Sequence, residues 1–281
     1  MSAAINKHLI IYSDLDGTLL DHYSYSFEPV IQTLSDLKAK NIPVILNTSK
    51  TAAEVKEIHK KLNLDTPFII ENGAAVYVPK NAFKTKPKSA VWQDGYWVKT
   101  FAPKRSHWKG LLSKLSRDYA GEFEAFSDMS INRICEVTDL PEADARLASK
   151  RLFGEPLLWK GSDARQGEFI KKAETLGAKP LRGGRFLHIS GDTNKGKAME
   201  WLSEEYKRQW QASKVTTIAL GDGNNDVAML EAADIAVRIL SPVHPPVQLQ
   251  RTDGVITTSK HGPEGWREAI EPLVAQSTTN H

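Results

Sequence analysis

Two aspartates one residue apart, Asp14 and Asp16, follow the apolar run Leu9-Ile10-Ile11-Tyr12. Such a run reads as a strand buried on both faces of a parallel sheet. Ligands of open α/β sheets lie beyond the carboxyl ends of the strands, so this strand delivers both carboxylates to one small volume. They repel unless a cation lies between them, and all-oxygen ligation suits a hard ion such as Mg2+. Taken alone, Asp16-Gly17 also reads as a plain turn after a strand. A second acidic strand end is Gly221-Asp222-Gly223-Asn224-Asn225-Asp226, behind Val215 to Leu220, which reads as a buried strand. Glycines on both sides of Asp222 allow a tight turn that brings Asp222 and Asp226 to the same edge. Two further positions complete the set. Thr48 stands in Asn47-Thr48-Ser49-Lys50, between a strand end and a helix start, where hydroxyls and free N–H groups either cap the helix or hold an anion. Lys195 opens a helix, where a cation opposes the helix dipole, and neutralising a phosphate is a reason for it to be there. Several carboxylates, a hydroxyl and a lysine are what metal-assisted phosphoryl transfer requires: one carboxylate attacks, another moves the proton, and the cations take up phosphate charge.

The elements that must position these residues are legible around them. A helix is predicted over Glu28 to Lys40, with Pro29 suited to its first turn and Val30, Leu34 and Leu37 as its buried stripe. Ile42 to Leu46 reads as a second buried strand. The helix after Lys50 starts on a capping-box pair, Thr51 and Glu54, and buries Val55, Ile58 and Leu62. A third strand, Phe68 to Ile70, leads into Glu71-Asn72-Gly73-Ala74. The succession β-α-β-α-β with short links predicts an α/β fold with a doubly wound parallel sheet. Val215 to Leu220, Ile235 to Val237 and Gly254 to Ile256 read as later strands, and Gly262 to Leu273 as a closing helix.

Between the two halves of that pattern the periodicity changes. Pro79 to Lys88 reads as a linker. Strand-like pieces (Trp97 to Phe101, Ile131 to Val137) then alternate with helical ones (His107 to Tyr119, Glu142 to Phe153). An inserted α+β domain is therefore expected over 85–188, with 1–84 and 189–281 forming the core. Trp92, Trp97, Trp108 and Trp159 fall in the insert, as fits a domain with little core of its own, and are expected to serve core packing rather than sugar stacking. Cys135 is expected as a core residue of the strand-like stretch 131–137. The insert closes on Gly183-Gly184-Arg185-Phe186-Leu187-His188-Ile189. Arg185 is either a solvated hairpin arginine or a bidentate partner for a carboxylate. His188 alternates with Leu187 and Ile189 and is expected on the outer face.

Composition excludes several classes. Of 281 residues, 41% are hydrophobic and 25% charged, and the net charge is +3 without a basic run, so nucleic acid is not implied. A single cysteine excludes an internal disulfide or a Cys-rich metal site. No apolar stretch has membrane-spanning length and MSAAINKH lacks a signal-type apolar region, so a soluble cytoplasmic protein is expected. The polar tail from Ala275 is expected to fray.

DLDGT at 14–18, the Thr48 strand end, Lys195 and GDGNND at 221–226 resemble, in this order, the four motifs of the haloacid dehalogenase (HAD) superfamily of phosphatases, and the long insert resembles its C2-type cap. SDLDGTLLD, NTSKT, ENGA at 71–74, GGRFLHISGDTNKGKA and GPEGW at 262–266 resemble a narrower family, the mannosyl-3-phosphoglycerate phosphatases. The resemblance implies a phosphoric monoester hydrolase acting on a phosphorylated sugar-glycerate, with neither a membrane nor a nucleic-acid partner. It implies Asp14 as nucleophile and Asp16 as the proton donor and then acceptor. Asp14, the Asp16 carbonyl and Asp222 would hold Mg2+, with Asp226 orienting that shell. Thr48 (rather than the neighbouring Ser49) and Lys195 would bind phosphate oxygens, assisted by Asn225. Lys50 would face the substrate, and Arg185 would take the glycerate carboxylate. A phosphatase for another sugar phosphate, such as glucosyl-3-phosphoglycerate, a phosphomannomutase-like phosphotransferase and a catalytically dead binding module stay open at this stage.

Overall fold

The computed structural model describes residues 8–183 and 185–278. The expectations for Met1 to Lys7 and Gly184 lie outside the described residues. The chain falls into two compact units. One comprises the described residues up to Ser49, His59–Lys99 and those from Asn194 onward; the other comprises Lys50–Ile58 and Thr100–Thr193.

In chain order the elements begin with β1 (Leu9–Ser13), α1 (Ile31–Ala39), β2 (Val44–Asn47), α2 (Ala52–Lys61), β3 (Phe68–Ile70) and β4 (Ala75–Pro79). A hairpin of β5 (Val91–Gln93) and β6 (Tyr96–Thr100) follows. The second unit carries α3 (Arg105–Leu115), β7 (Phe123–Ala125), α4 (Ile131–Thr138), α5 (Glu142–Ala148), β8 (Glu155–Trp159), α6 (Asp163–Thr175), β9 (Leu181–Gly183) and β10 (Phe186–Ile189). The chain then returns through α7 (Lys195–Trp210), β11 (Thr216–Gly221), α8 (Val227–Ala232), β12 (Ile235–Leu240), β13 (Val255–His261) and α9 (Gly262–Thr278).

The first unit is built on a nine-stranded sheet of order β13-β12-β11-β1-β2-β3-β4-β6-β5. The run from β13 to β3 is parallel throughout, and β4 turns back antiparallel on β3. Ile10, Ile11, Ile45, Phe68, Ile69, Ala219 and Leu220 are fully buried, as central parallel strands covered on both faces should be. β1 lies between β2 and β11, so the chain reverses its direction of winding there. In such sheets that reversal opens a crevice at the carboxyl ends.

The second unit has a four-stranded sheet, β7-β8-β10-β9, with its own core. Trp108, Leu111, Leu115, Leu157 and Phe169 pack together there, with Trp159 against them. Ser130 and Ser162 each accept a hydrogen bond from the backbone three residues on and so start α4 and α6.

Several sequence expectations change here. Ile131 to Val137 is the helix α4, not a strand: its apolar residues fall at helical spacing, and Ile134 and Val137 bury against Phe126, Ala145 and Ala148. Cys135 is half-buried beside that cluster. The boundary expected at 85 moves, because β5 and β6 extend the large sheet beyond β4 and carry Trp92 and Trp97 with them. Trp92 is exposed and meets Trp97 edge-on rather than filling the insert's core. The stretch read as a linker is fastened to α7: the Thr85 N–H donates to Gln209 Oε1 (3.1 Å), and Arg208 donates to Thr85 Oγ1 (2.9 Å). Fraying from Ala275 is not seen, since α9 runs to Thr278; residues 279–281 lie outside the described residues. Among the described residues no helix is long and apolar enough to cross a membrane.

Candidate active site

The site of the first unit starts where β1 stops. The Asp14 N–H continues the ladder to Leu220 O (2.9 Å), which pins the first aspartate against the end of β11. Ser13 is fully buried; its hydroxyl donates to Asp14 O (2.7 Å) and accepts from Trp266 Nε1 (3.0 Å), which is also fully buried. The indole of α9 thus braces the backbone that presents Asp14.

Lys195 is the centre of the charge arrangement. Its side chain is fully buried, and its Nζ donates to Asp14 Oδ1 (2.5 Å) and to Asp226 Oδ1 (2.5 Å). The unfavourable place of a lysine at a helix start is thereby explained: two carboxylates outweigh the dipole. The helix end is capped independently, since Asn194 Oδ1 accepts from the Lys197 N–H (2.9 Å). Asn47, fully buried at the end of β2, donates to Lys195 O (3.1 Å) and fixes the lysine's backbone.

Asp226 has both oxygens engaged. Oδ1 takes Lys195, and Oδ2 accepts the N–H groups of Asp222 (3.0 Å) and Gly223 (2.8 Å). It therefore shapes the loop that presents Asp222. Asp222 accepts from Thr18 Oγ1 (3.2 Å) on Oδ1, and His244 Nε2 stands 3.4 Å from Oδ2. One oxygen each of Asp14, Asp222 and Asp226 lies within 4.8 Å of the others.

Burial sets the electrostatics. The Asp14 carboxyl stands at about 7, raised first by burial and then by the Asp226 charge, with the Lys195 ammonium opposing both. Asp222 is pushed up to about 6, again by burial first and by the Asp14 charge second. Asp226 is raised by burial against the pull of Lys195. For Lys195, burial works against the ammonium, but the two carboxylates outweigh it and hold the proton well above the usual lysine range. Three carboxylates thus share one ammonium in a buried volume. The excess negative charge and the oxygen-only donor set fit a hard divalent cation, and such a cation would return the carboxylates to their ionised forms.

Asp16, half-buried where the turn closes on a bridge to Leu20, is near enough for its charge to help raise the Asp14 carboxyl. Thr48 is fully buried at the end of β2. Its N–H donates to Ile69 O (3.1 Å), and its carbonyl accepts from the Asn72 N–H (3.0 Å). Asn225 donates from Nδ2 to Asn72 Oδ1 (3.2 Å). Lys195 thus joins Asp14 to Asp226 directly, Asp222 is tied to Asp226 through its N–H, and Thr48 and Asn225 are both held by Asn72. Lys50 and Arg185 belong to the second unit. Lys50 lies 3.9 Å from Glu54, and Arg185 is held by Asp139 Oδ2 (2.5 Å) and Val137 O (3.1 Å). Thr18, Asn72, His244 and Trp266 were not singled out as site residues by sequence. Only the adjacency of Thr18 to DLDG and the inclusion of the others in unexplained motifs or a proline-rich loop could have pointed to them.

Gly17 shows how tightly Asp222 is held. Its φ is +75°, and a Cβ there would stand 2.7 Å from Asp222 Oδ2. Gly17→Ala should therefore cost about 1–3 kcal/mol, read as a Tm lowered by several degrees. Adding Asp222→Ala removes the atom that is struck and should recover part of the loss. A double variant whose loss equals the sum of the two single losses would show that the contact is not the cause.

A haloacid dehalogenase-like hydrolase family model matches residues 11–89 and 184–241. A glucosyl-3-phosphoglycerate/mannosyl-3-phosphoglycerate phosphatase of Methanococcoides burtonii is 35% identical, over 96% of this chain and 98% of its own. The protein of the same name from Persephonella marina is 33% identical, over 93% of this chain and 96% of its own. In fold, the chain is similar to the HAD subclass IIB sugar phosphatase BT4131, with a TM-score of 0.60 at 16% identity, covering 95% of this chain and 97% of that one.

Proposed function

The chain belongs to the haloacid dehalogenase-like hydrolase family, and from that premise we propose that it is a Mg2+-dependent phosphatase of glycosyl-3-phosphoglycerates, mannosyl-3-phosphoglycerate first among them. The coarser part of that statement, a sugar-phosphate phosphatase and hence a phosphoric monoester hydrolase, rests on relatives spanning nearly the whole chain. The observation that carries the chemistry is Asp14 held on Lys195 beside Asp222, at the carboxyl edge of the sheet.

In this reading Asp14 attacks the phosphorus. The bond from phosphorus to the 3-oxygen of the glycerate breaks, and Asp16 gives that oxygen its proton. Asp16 then takes a proton from water, whose oxygen attacks the phosphoryl group and releases Asp14 and inorganic phosphate. Lys195 and Thr48 hold phosphate oxygens, with Asn225 assisting. Asp14, the Asp16 carbonyl and Asp222 would hold Mg2+, with Asp226 steadying the Asp222 loop; the ion would supply charge for the phosphate oxygens. The second unit would serve as the cap that sets specificity, and Lys50 and Arg185 are assigned to the substrate on chemistry alone. Mannosyl- and glucosyl-3-phosphoglycerate both stay in the proposal because the relatives' name carries both.

Phosphate release from a panel of sugar phosphates and phosphoglycerates, ranked by kcat/KM, tests it. The glycosyl-3-phosphoglycerates should lead by orders of magnitude, and comparable rates on simple hexose phosphates would overturn the narrow substrate. Exhaustive EDTA treatment should lower the rate at least about 100-fold, restored by Mg2+. Undiminished turnover would remove the metal from the proposal.

A further inference from the structure

The motif Glu71-Asn72-Gly73-Ala74 has no part in the chemistry above, yet its backbone is the most unusual in the first unit. Glu71, Asn72 and Gly73 stand one after another at φ 47°, 56° and 87°. Left-handed backbone at an L-residue costs of the order of 1 kcal/mol, so two in succession persist only where the surroundings impose them.

What imposes them is contact with three separate chain segments. The Asn72 N–H donates to the carbonyl of Thr48 (3.0 Å). Asn72 Oδ1 accepts from Asn225 Nδ2 (3.2 Å). Gly73 lies so close to the cap of α7 that a Cβ would stand 2.1 Å from Asn194 O and 3.0 Å from Lys195 N. One turn therefore touches the strand end bearing Thr48, the helix start bearing Lys195 and the loop bearing Asp222, Asn225 and Asp226. Each of those segments presents a group read above as a phosphate ligand or a metal ligand. An asparagine amide free to rotate points its donors anywhere; Asn225 has one of its two N–H groups tied to Asn72, which leaves the other aimed by that bond.

We propose that Asn72 is a positioning residue: it fixes the aim of Asn225 and the seat of Thr48 for the phosphoryl group of the substrate. This rests on the reading of Asn225 and Thr48 as phosphate ligands. Strain in the turn is the cost of bringing one side-chain oxygen and one N–H to two different segments at once.

Asn72→Gly separates the amide from the backbone, because glycine keeps the N–H and occupies left-handed φ without strain. Inorganic phosphate, titrated calorimetrically into the full chain with Mg2+ present, is the probe, alongside KM and kcat. Asn72→Gly should weaken phosphate about tenfold, the worth of one hydrogen bond that orders a ligand, with KM rising in step. Asn225→Ala should weaken it comparably, and the double variant should lose no more than Asn225→Ala alone, because Asn72 acts through Asn225. If Asn225→Ala weakens phosphate but Asn72→Gly does not, or if the two losses add, Asn72 does not position Asn225 and the proposal falls. If Asn225→Ala leaves phosphate binding unchanged, the reading of Asn225 as a phosphate ligand fails first and takes this inference with it. A loss confined to thermal stability, with phosphate affinity and KM intact, would reduce the turn to a structural role and likewise overturn the proposal.

Discussion

Asp14→Asn should lower turnover by about four orders of magnitude or more while leaving a folded protein that is more stable than the parent at pH 8. The first half follows from the proposed covalent step, since an amide is a poor nucleophile and a poor leaving group from phosphorus. Activity of the variant near the parental level would end the assignment of Asp14 as nucleophile. The second half follows from burial. The Asp14 carboxyl is raised to about 7, chiefly because the ionised form is desolvated and then because Asp226 is close, with Lys195 only partly compensating. A carboxyl whose folded pKa lies above its unfolded value favours the fold below the unfolded value and loses that contribution as pH rises through the folded one. The parent should therefore weaken relative to Asp14→Asn between about pH 4 and pH 7. Melts of the two metal-free proteins at pH 5 and pH 8 read the difference, which should widen at the higher pH. Mg2+ should narrow it by stabilising the parent alone. A difference that shrinks as pH rises would show that Lys195 more than repays the burial of Asp14.

Lys195→Met should be the most damaging single change to both activity and stability. The ammonium is fully buried and shared between Asp14 and Asp226, so its loss leaves two desolvated carboxylates facing one another. Breaking a buried pair by removing one partner costs about 3–5 kcal/mol. Loss of the cation that the proposed mechanism places at the transferring phosphoryl group adds about a 100–1,000-fold fall in kcat. Urea unfolding and steady-state kinetics measure the two effects separately. The destabilisation should be smaller at pH 5 than at pH 8, since protonation of the two acids relieves their repulsion. Adding Asp226→Asn should recover part of the stability but none of the rate. A Lys195→Met protein as stable as the parent at pH 8 would show that the cluster does not depend on its lysine for charge balance.

The parts of this molecule that could be read from sequence are those where local pattern and global role coincide. β1 opens on an apolar run and β11 carries Ile218 to Leu220, both buried because both faces are covered, and each ends at once in acidic turn residues, so strand, edge and chemistry were visible together. Thr51 and Glu54 form the reciprocal cap their spacing predicted, at 3.2 and 2.8 Å. Lys195 was conspicuous because it opposed its own helix, and the structure supplies the two carboxylates that overrule the local preference. Where local pattern was ambiguous the reading failed. Ile131 to Val137 is rich in β-branched residues, but its packing is that of one helical face. The Trp92–Trp97 hairpin belongs to the large sheet only through its pairing beyond β4, which nothing in its own residues encodes. Asn72, Thr18 and Trp266 act on Asn225, Asp222 and Ser13 across gaps of 153, 204 and 253 residues, distances over which periodicity carries no signal.

The place of β1 in the middle of the sheet has a consequence for synthesis. Its ladder on one side, Ile11 with Val44, can form early, but on the other side Leu9 must wait for Thr216 and Asp14 for Leu220. Closing so long a loop is entropically costly and slow, and only the chain's final third can repay it. A ribosome-bound chain that has not yet delivered β11 therefore holds Asp14 with neither Asp222 nor Asp226 beside it and an apolar strand with one bare edge. Under the proposed mechanism the nascent protein is silent until nearly complete, and that open edge is where a holdase or an unwanted neighbour would pair.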